Sequence, residues 1–99
     1  MIGRALRLIR TFNDITQSKL AAELGISGSF LSELESGKKV PSLDLIYKYA
    51  EYFSMPASSI LLFSENLERE PGKVKTFLAK LVLGALEKVE GMADGEART

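Results

Sequence analysis

The sequence predicts an all-α fold, with five short helices closing one core and a sixth, amphipathic helix after them. Three observations carry this. Apolar residues recur at helical rather than alternating spacing. Glycine and proline are few, 8 and 3, against many Leu, Ala, Ile and Ser. A hydroxyl residue, Thr16, Ser27 or Ser42, stands just before three of the periodic stretches, where it can cap a helix. At 99 residues the chain is one domain plus an appendage. With 45% hydrophobic and 26% charged residues it reads as a folded globular domain rather than a disordered or fibrous one.

Residues 2–12 place Ile2, Leu6 and Ile9, with Ala5 and Phe12 less closely, on one stripe, and Arg4, Arg7 and Arg10 outside it. Asn13-Asp14 breaks this first helix. Thr16 caps a second helix over Gln17 to Leu24, and Gly25 ends it by taking a left-handed conformation. Ile26 follows as an apolar plug, and Ser27 caps a third helix from Gly28 to Glu35. Gly37 to Pro41 is a loop, since Pro41 restricts Val40 to extended conformations. Ser42 caps a fourth helix, Leu43 to Phe53, with Leu43, Ile46, Ala50 and Phe53 at helical spacing. Pro56 suits the first turn of a short fifth helix ending near Leu62, and the polar stretch 64–72, with Pro71-Gly72, reads as a linker.

The sixth helix is expected over 73–91. Val74, Phe77, Leu78, Leu81, Val82, Ala85, Leu86 and Val89 give it a wide apolar face. Gly84 within it costs about 1 kcal/mol of helix propensity. Gly91 is a C-cap, and residues 92–99 are expected as a frayed tail.

Several function classes fall away on composition. The absence of cysteine and histidine removes disulfides, thiolate nucleophiles, Ser-His-Asp triads and the usual zinc ligands, so no cofactor or metal is expected. Gly25-Ile26-Ser27-Gly28 lacks the length and the Lys-Ser/Thr ending of a phosphate loop, and no catalytic carboxylate pair is evident, so the chain is not expected to be an enzyme. No apolar run approaches a bilayer span and Met1 to Arg4 has no signal-peptide character, which places the protein in the cytoplasm with no membrane partner. Net charge is zero, with 13 basic and 13 acidic side chains, where a nucleic-acid binder often has a basic excess.

The informative segment is Gln17 to Glu35. Two helices crossing at a tight turn need a small residue at the crossing, a left-handed turn residue and apolar plugs on the inner face. Ala21, Gly25, and Ile26 with Leu31 and Leu34 fill these positions, while Leu20 and Leu24 face the same core. This is a helix-turn-helix, and over residues 2–63 the chain resembles the Cro and phage-repressor (XRE-like) family of helix-turn-helix transcription regulators. The stretch carrying the resemblance is TQSKLAAELGISGSFLSELESGKKVPSL.

The resemblance implies a DNA-binding domain over 1–63 whose recognition helix, 28–35, enters the major groove of double-stranded DNA. On a helical wheel Gly28, Ser29, Ser32 and Glu33 point outward and are the candidate base readers. Glu33 has an alternative as a solvated charge or the partner of a nearby lysine, and Phe30 is expected at the rim of the core. Gly28 departs from the pattern, because many relatives carry a reading side chain there. Gln17 matches a position that clamps a phosphate in the family, flanked by Thr16 and Ser18 at a helix N-terminus. Lys38 and Lys39 look like a second clamp, or else an ordinary solvated pair. Arg10 and Glu35 match positions that pair inside the domain in some relatives, and Arg4 and Arg7 form a solvated face.

The roughly 35 residues after residue 63 are too few for a self-cleaving peptidase or an ordinary ligand-binding domain. The apolar face of helix 73–91 is expected to make the protein a homodimer, since five helices already close a core. The competing reading folds it back as a sixth core helix. A different class of function stays open beside DNA regulation: a protein-interaction module, such as an antitoxin or a regulator controlled by a small antagonist protein.

Overall fold

A computed structural model describes residues 2–73, 75, 76 and 78–80, and among these all regular structure is helical. The helices are α1 (Ile2–Phe12), α2 (Gln17–Leu24), α3 (Gly28–Ser36), α4 (Leu43–Tyr52) and α5 (Ala57–Arg69), followed by a 3-10 turn at Pro71–Lys73. Residues 75, 76 and 78–80 are helical.

Side-chain hydroxyls start three of the helices as expected. Thr16 Oγ accepts from Lys19 N at 3.2 Å, Ser27 Oγ from Phe30 N at 3.0 Å and Ser42 Oγ from Leu45 N at 3.2 Å. Each satisfies one amide that the helix itself leaves orphaned. The ends share a different device. After α2, Gly25 is left-handed (φ 72°), its N–H donates to Ala22 O, and Ile26 N donates to Ala21 O at 3.0 Å. The same paired closure ends α3 at Gly37, α1 at Asp14 and α4 at Ser54, the last two being non-glycine residues at φ 58° and 54°. After α1, α2 and α4 the next residue is apolar, Ile15, Ile26 and Met55, and each packs on the core.

Gly25→Val isolates the backbone requirement, because a Cβ added at Gly25 meets nothing within 4 Å and the only penalty is the left-handed conformation. A loss of about 1–3 kcal/mol is expected, read as a lower urea midpoint at unchanged slope. A midpoint equal to wild type would show that the turn tolerates a β-branched residue.

The core is built around Leu6, Ile9, Leu20, Leu31, Leu34, Tyr49, Ile60 and Phe63, all essentially inaccessible. α1 packs against α3 and α5, α2 against α3 and α4, and α4 against α5. Tyr49 donates its phenolic hydrogen to Leu6 O, tying α4 to α1. Burial, aided by the negative charge of Glu35, raises its pKa well above the ordinary phenol range.

The structure corrects the sequence reading at several places. Phe12 is 49% exposed rather than on the core stripe. On α4, Leu43 is 58% exposed, because the buried face is Leu45, Ile46, Tyr49, Ala50 and Phe53. The segment 64–72 is not a linker throughout: α5 runs on to Arg69, and Leu67, on the same face as Ile60 and Phe63, is buried. An Arg69–Glu65 pair on its outer side follows helical spacing.

Leu78, expected on a dimer face, is 6% exposed and joins the hydrophobic core cluster, so the chain itself buries this side chain. Val74, Phe77, Leu81, Val82, Ala85, Leu86 and Val89, and the tail at 92–99, lie outside the described residues. Among the described residues no helix is long and apolar enough to cross a membrane.

Candidate nucleic-acid interface

α2 and α3 pack on one another across the turn at Gly25–Ser27, and Gln17 at the start of α2 meets Glu35 near the end of α3. On α3, Gly28, Ser29 and Ser32 are exposed and Glu33 is half-buried, while Leu31 and Leu34 enter the core and Phe30 packs at its rim. Gly28, Ser29 and Ser32 thus face solvent, and Glu33 only in part. A Cβ at Gly28 would meet nothing within 4 Å, so the fold does not require a glycine there.

What fixes this face is a buried ionic cluster at the other end of α3. Glu35 is 5% exposed and takes two hydrogen bonds from the Arg10 guanidinium, Nε to Oε2 at 2.7 Å and Nη2 to Oε1 at 3.0 Å. The fork geometry of arginine suits this bidentate grip. Arg10 Nη1 also donates to Ile15 O at 2.8 Å, holding the α1–α2 connection. Its pKa is raised, first by the hydrogen bond to Glu35, with desolvation working the other way. Gln17 completes the cluster, donating from Nε2 to Glu35 Oε1 at 2.9 Å. One carboxylate therefore ties the end of α1, the start of α2 and the end of α3 together. No buried side-chain polar atom among the described residues is left without a partner.

The family resemblance sets Gln17 at a phosphate, and its bond to Glu35 changes how it could act there. An amide nitrogen has two hydrogens, so one can hold Glu35 while the other points outward. Thr16 and Ser18 are exposed on either side of it. Thr16 Oγ accepts from Lys19 N, which leaves its hydroxyl hydrogen as a donor.

The loop after α3 divides the lysine pair. Lys38 is exposed. Lys39 Nζ instead lies 3.4 Å from Glu33 Oε2 and 5.6 Å from the centroid of the Phe30 ring. The alternative of Glu33 as partner to a nearby lysine is thus present in the structure, and spacing alone did not tell which lysine. Sequence reasoning also missed Gly3. A Cβ there would strike Leu34 O and come within 3.0 Å of Glu35 O, so α1 crosses α3 in backbone contact. Its signal was faint: Gly3 shares a face with Leu6 and Arg10, both of which point toward the interior.

Comparison with known proteins agrees with this geometry. The family described as a helix-turn-helix domain matches residues 3–63. An uncharacterised HTH-type transcriptional regulator of Methanocaldococcus jannaschii is 33% identical over 61 residues, 62% of this chain and 92% of the relative. The competence pilus inhibition repressor of Acinetobacter baylyi is 35% identical over 74 residues, 75% of this chain and 67% of that protein. An uncharacterised HTH-type regulator of Bacillus subtilis is 36% identical over 58 residues, 59% and 84% of the two chains. No solved structure matches. The chain belongs to the XRE-like helix-turn-helix family of DNA-binding transcriptional regulators.

Proposed function

We propose that the protein is a repressor that binds a palindromic operator as a homodimer, reading base edges in the major groove with α3. The observation that carries the reading is the solvent-facing side of α3 at Ser29, Ser32 and Glu33, on a helix that Glu35 ties to the α2 N-terminus through Gln17 and to α1 through Arg10. Ser29 and Ser32 can donate or accept, Glu33 can accept from a cytosine amino group, and Gly28 lets the helix end approach closely. Thr16, Gln17 and Ser18 meet a phosphate at a helix N-terminus, and Lys38 meets another from the loop. The repressor assignment draws on the Acinetobacter relative, whose similarity extends over 74 residues, more than the helix-turn-helix domain alone.

Salt dependence tests the phosphate contacts. With Lys38 as the one cation set on a phosphate in each protomer, the dimer neutralises about two phosphates, which gives a slope of log K against log salt of about −2. Lys38→Ala is expected to weaken binding to all duplexes alike and to flatten that slope, whereas Ser29→Ala shifts preference at particular base pairs. Affinity unchanged by a fourfold rise in salt would defeat this reading.

Dimerisation rests on the apolar pattern of 73–91 and on the limited interface that one small module makes with DNA. Since Leu78 is already buried in the protomer, the contact is expected from the remaining positions of that face. Sedimentation of the full chain at tens of micromolar should give a dimer mass, and a monomer would assign the face to the protomer's own core. A second reading, control by a small antagonist or toxin protein, draws on Val40, Leu43 and Tyr47, which are 84%, 58% and 58% exposed around the loop and the outer side of α4. Co-purification of a small protein together with loss of all DNA affinity would favour it.

A further inference from the structure

Lys39 and Glu33 are joined in two ways. The main chain folds back after α3 so that Lys38 N and Lys39 N both donate to Glu33 O, at 2.9 and 3.2 Å. The Lys39 side chain then returns over the helix, its ammonium 3.4 Å from the Glu33 carboxylate and over the Phe30 ring. Phe30 and Glu33 are one helical turn apart, so ring and carboxylate form the two sides of one seat.

An exposed pair of this kind adds little to stability, about 0–1 kcal/mol, and Lys39 and Glu33 keep 54% and 37% of their side-chain surface in contact with solvent. Its importance lies in what the carboxylate must do. A bare carboxylate entering the major groove is repelled by the phosphates on both sides, and the Lys39 ammonium, seated 3.4 Å from it, is the cation placed to neutralise it. We propose that Lys39 is a specificity-determining positioning residue, which fixes and neutralises the Glu33 carboxylate for a cytosine amino group instead of contacting a phosphate. This rests on Glu33 being a base reader.

The test is selection of bound sequences from random duplex DNA by the full chain as wild type, E33Q, K39M, K39R and the double variant E33Q/K39M, with salt slopes measured on the wild-type site. E33Q and K39M are expected to lose preference at the same base pair, about tenfold. K39M should keep the wild-type slope, the double variant should be no worse than E33Q, and K39R should restore the preference. If K39M weakens binding to every duplex alike and flattens the slope by about 0.9 per protomer, Lys39 is a phosphate ligand and the proposal is overturned, with Glu33 still a reader. If E33Q keeps every preference while wild type still selects a site, the reading of Glu33 fails and takes the proposal with it.

Discussion

Arg10→Met is expected to lower stability by about 3–5 kcal/mol, because it leaves the Glu35 carboxylate buried with only Gln17 as a partner. For a domain of this size that loss moves the melting midpoint by on the order of 15 °C or more. The cost comes from an unpaired buried charge rather than from the worth of the pair itself. Arg10→Met with Glu35→Leu should therefore recover much of the loss, and the double-mutant cycle should be strongly non-additive. Urea unfolding of the three variants measures it. A single variant within 1 kcal/mol of wild type would mean that α1, α2 and α3 are not held through Glu35.

Gly3→Ala gives an effect whose sign is informative. In a solvent-facing helix the change would stabilise by about 1 kcal/mol through helix propensity. Here the added methyl is driven into Leu34 O, and Glu35 O stands 3.0 Å away, so α1 must separate from α3. A net loss of about 2 kcal/mol is expected, since neither backbone carbonyl can rotate aside. Gly28→Ala serves as the control. Its Cβ meets nothing within 4 Å, and it should be neutral or slightly more stable. A stabilising Gly3→Ala would contradict the close crossing.

Much of the helical order was legible because it depends on local chemistry. Thr16, Ser27 and Ser42 announced three helix starts, and Gly25 announced the turn, since a hydroxyl before an apolar stripe and a glycine after one have few other uses. The closures at Asp14 and Ser54 use the same geometry as Gly25 without its residue type, so Asn13-Asp14 marked a break in the sequence without showing that it closes in the left-handed conformation. The length of α5 was hidden by the polar run after Phe63, where only the spacing of Leu67 reports a buried face.

On α3, the solvent-facing positions Gly28, Ser29 and Ser32 followed from periodicity. The partners did not, because they join residues distant in sequence. Gln17 and Glu35 are 18 positions apart, and Arg10 and Glu35 are 25 apart. The family resemblance pointed to the Arg10–Glu35 pair. It gave no indication that Gln17 would share the same carboxylate, or that of the two loop lysines Lys39 would turn back to Glu33.

Whether α3 reads DNA sequence is decided by selection of bound sequences from random duplex DNA by the wild-type full chain. The predicted result is enrichment of a two-fold symmetric site with half-sites about one helical turn apart, roughly 34 Å, whose preferences at defined positions are lost in Ser29→Ala and Ser32→Ala. Selection that enriches no site, or one whose preferences survive every substitution on the outer face of α3, would contradict it.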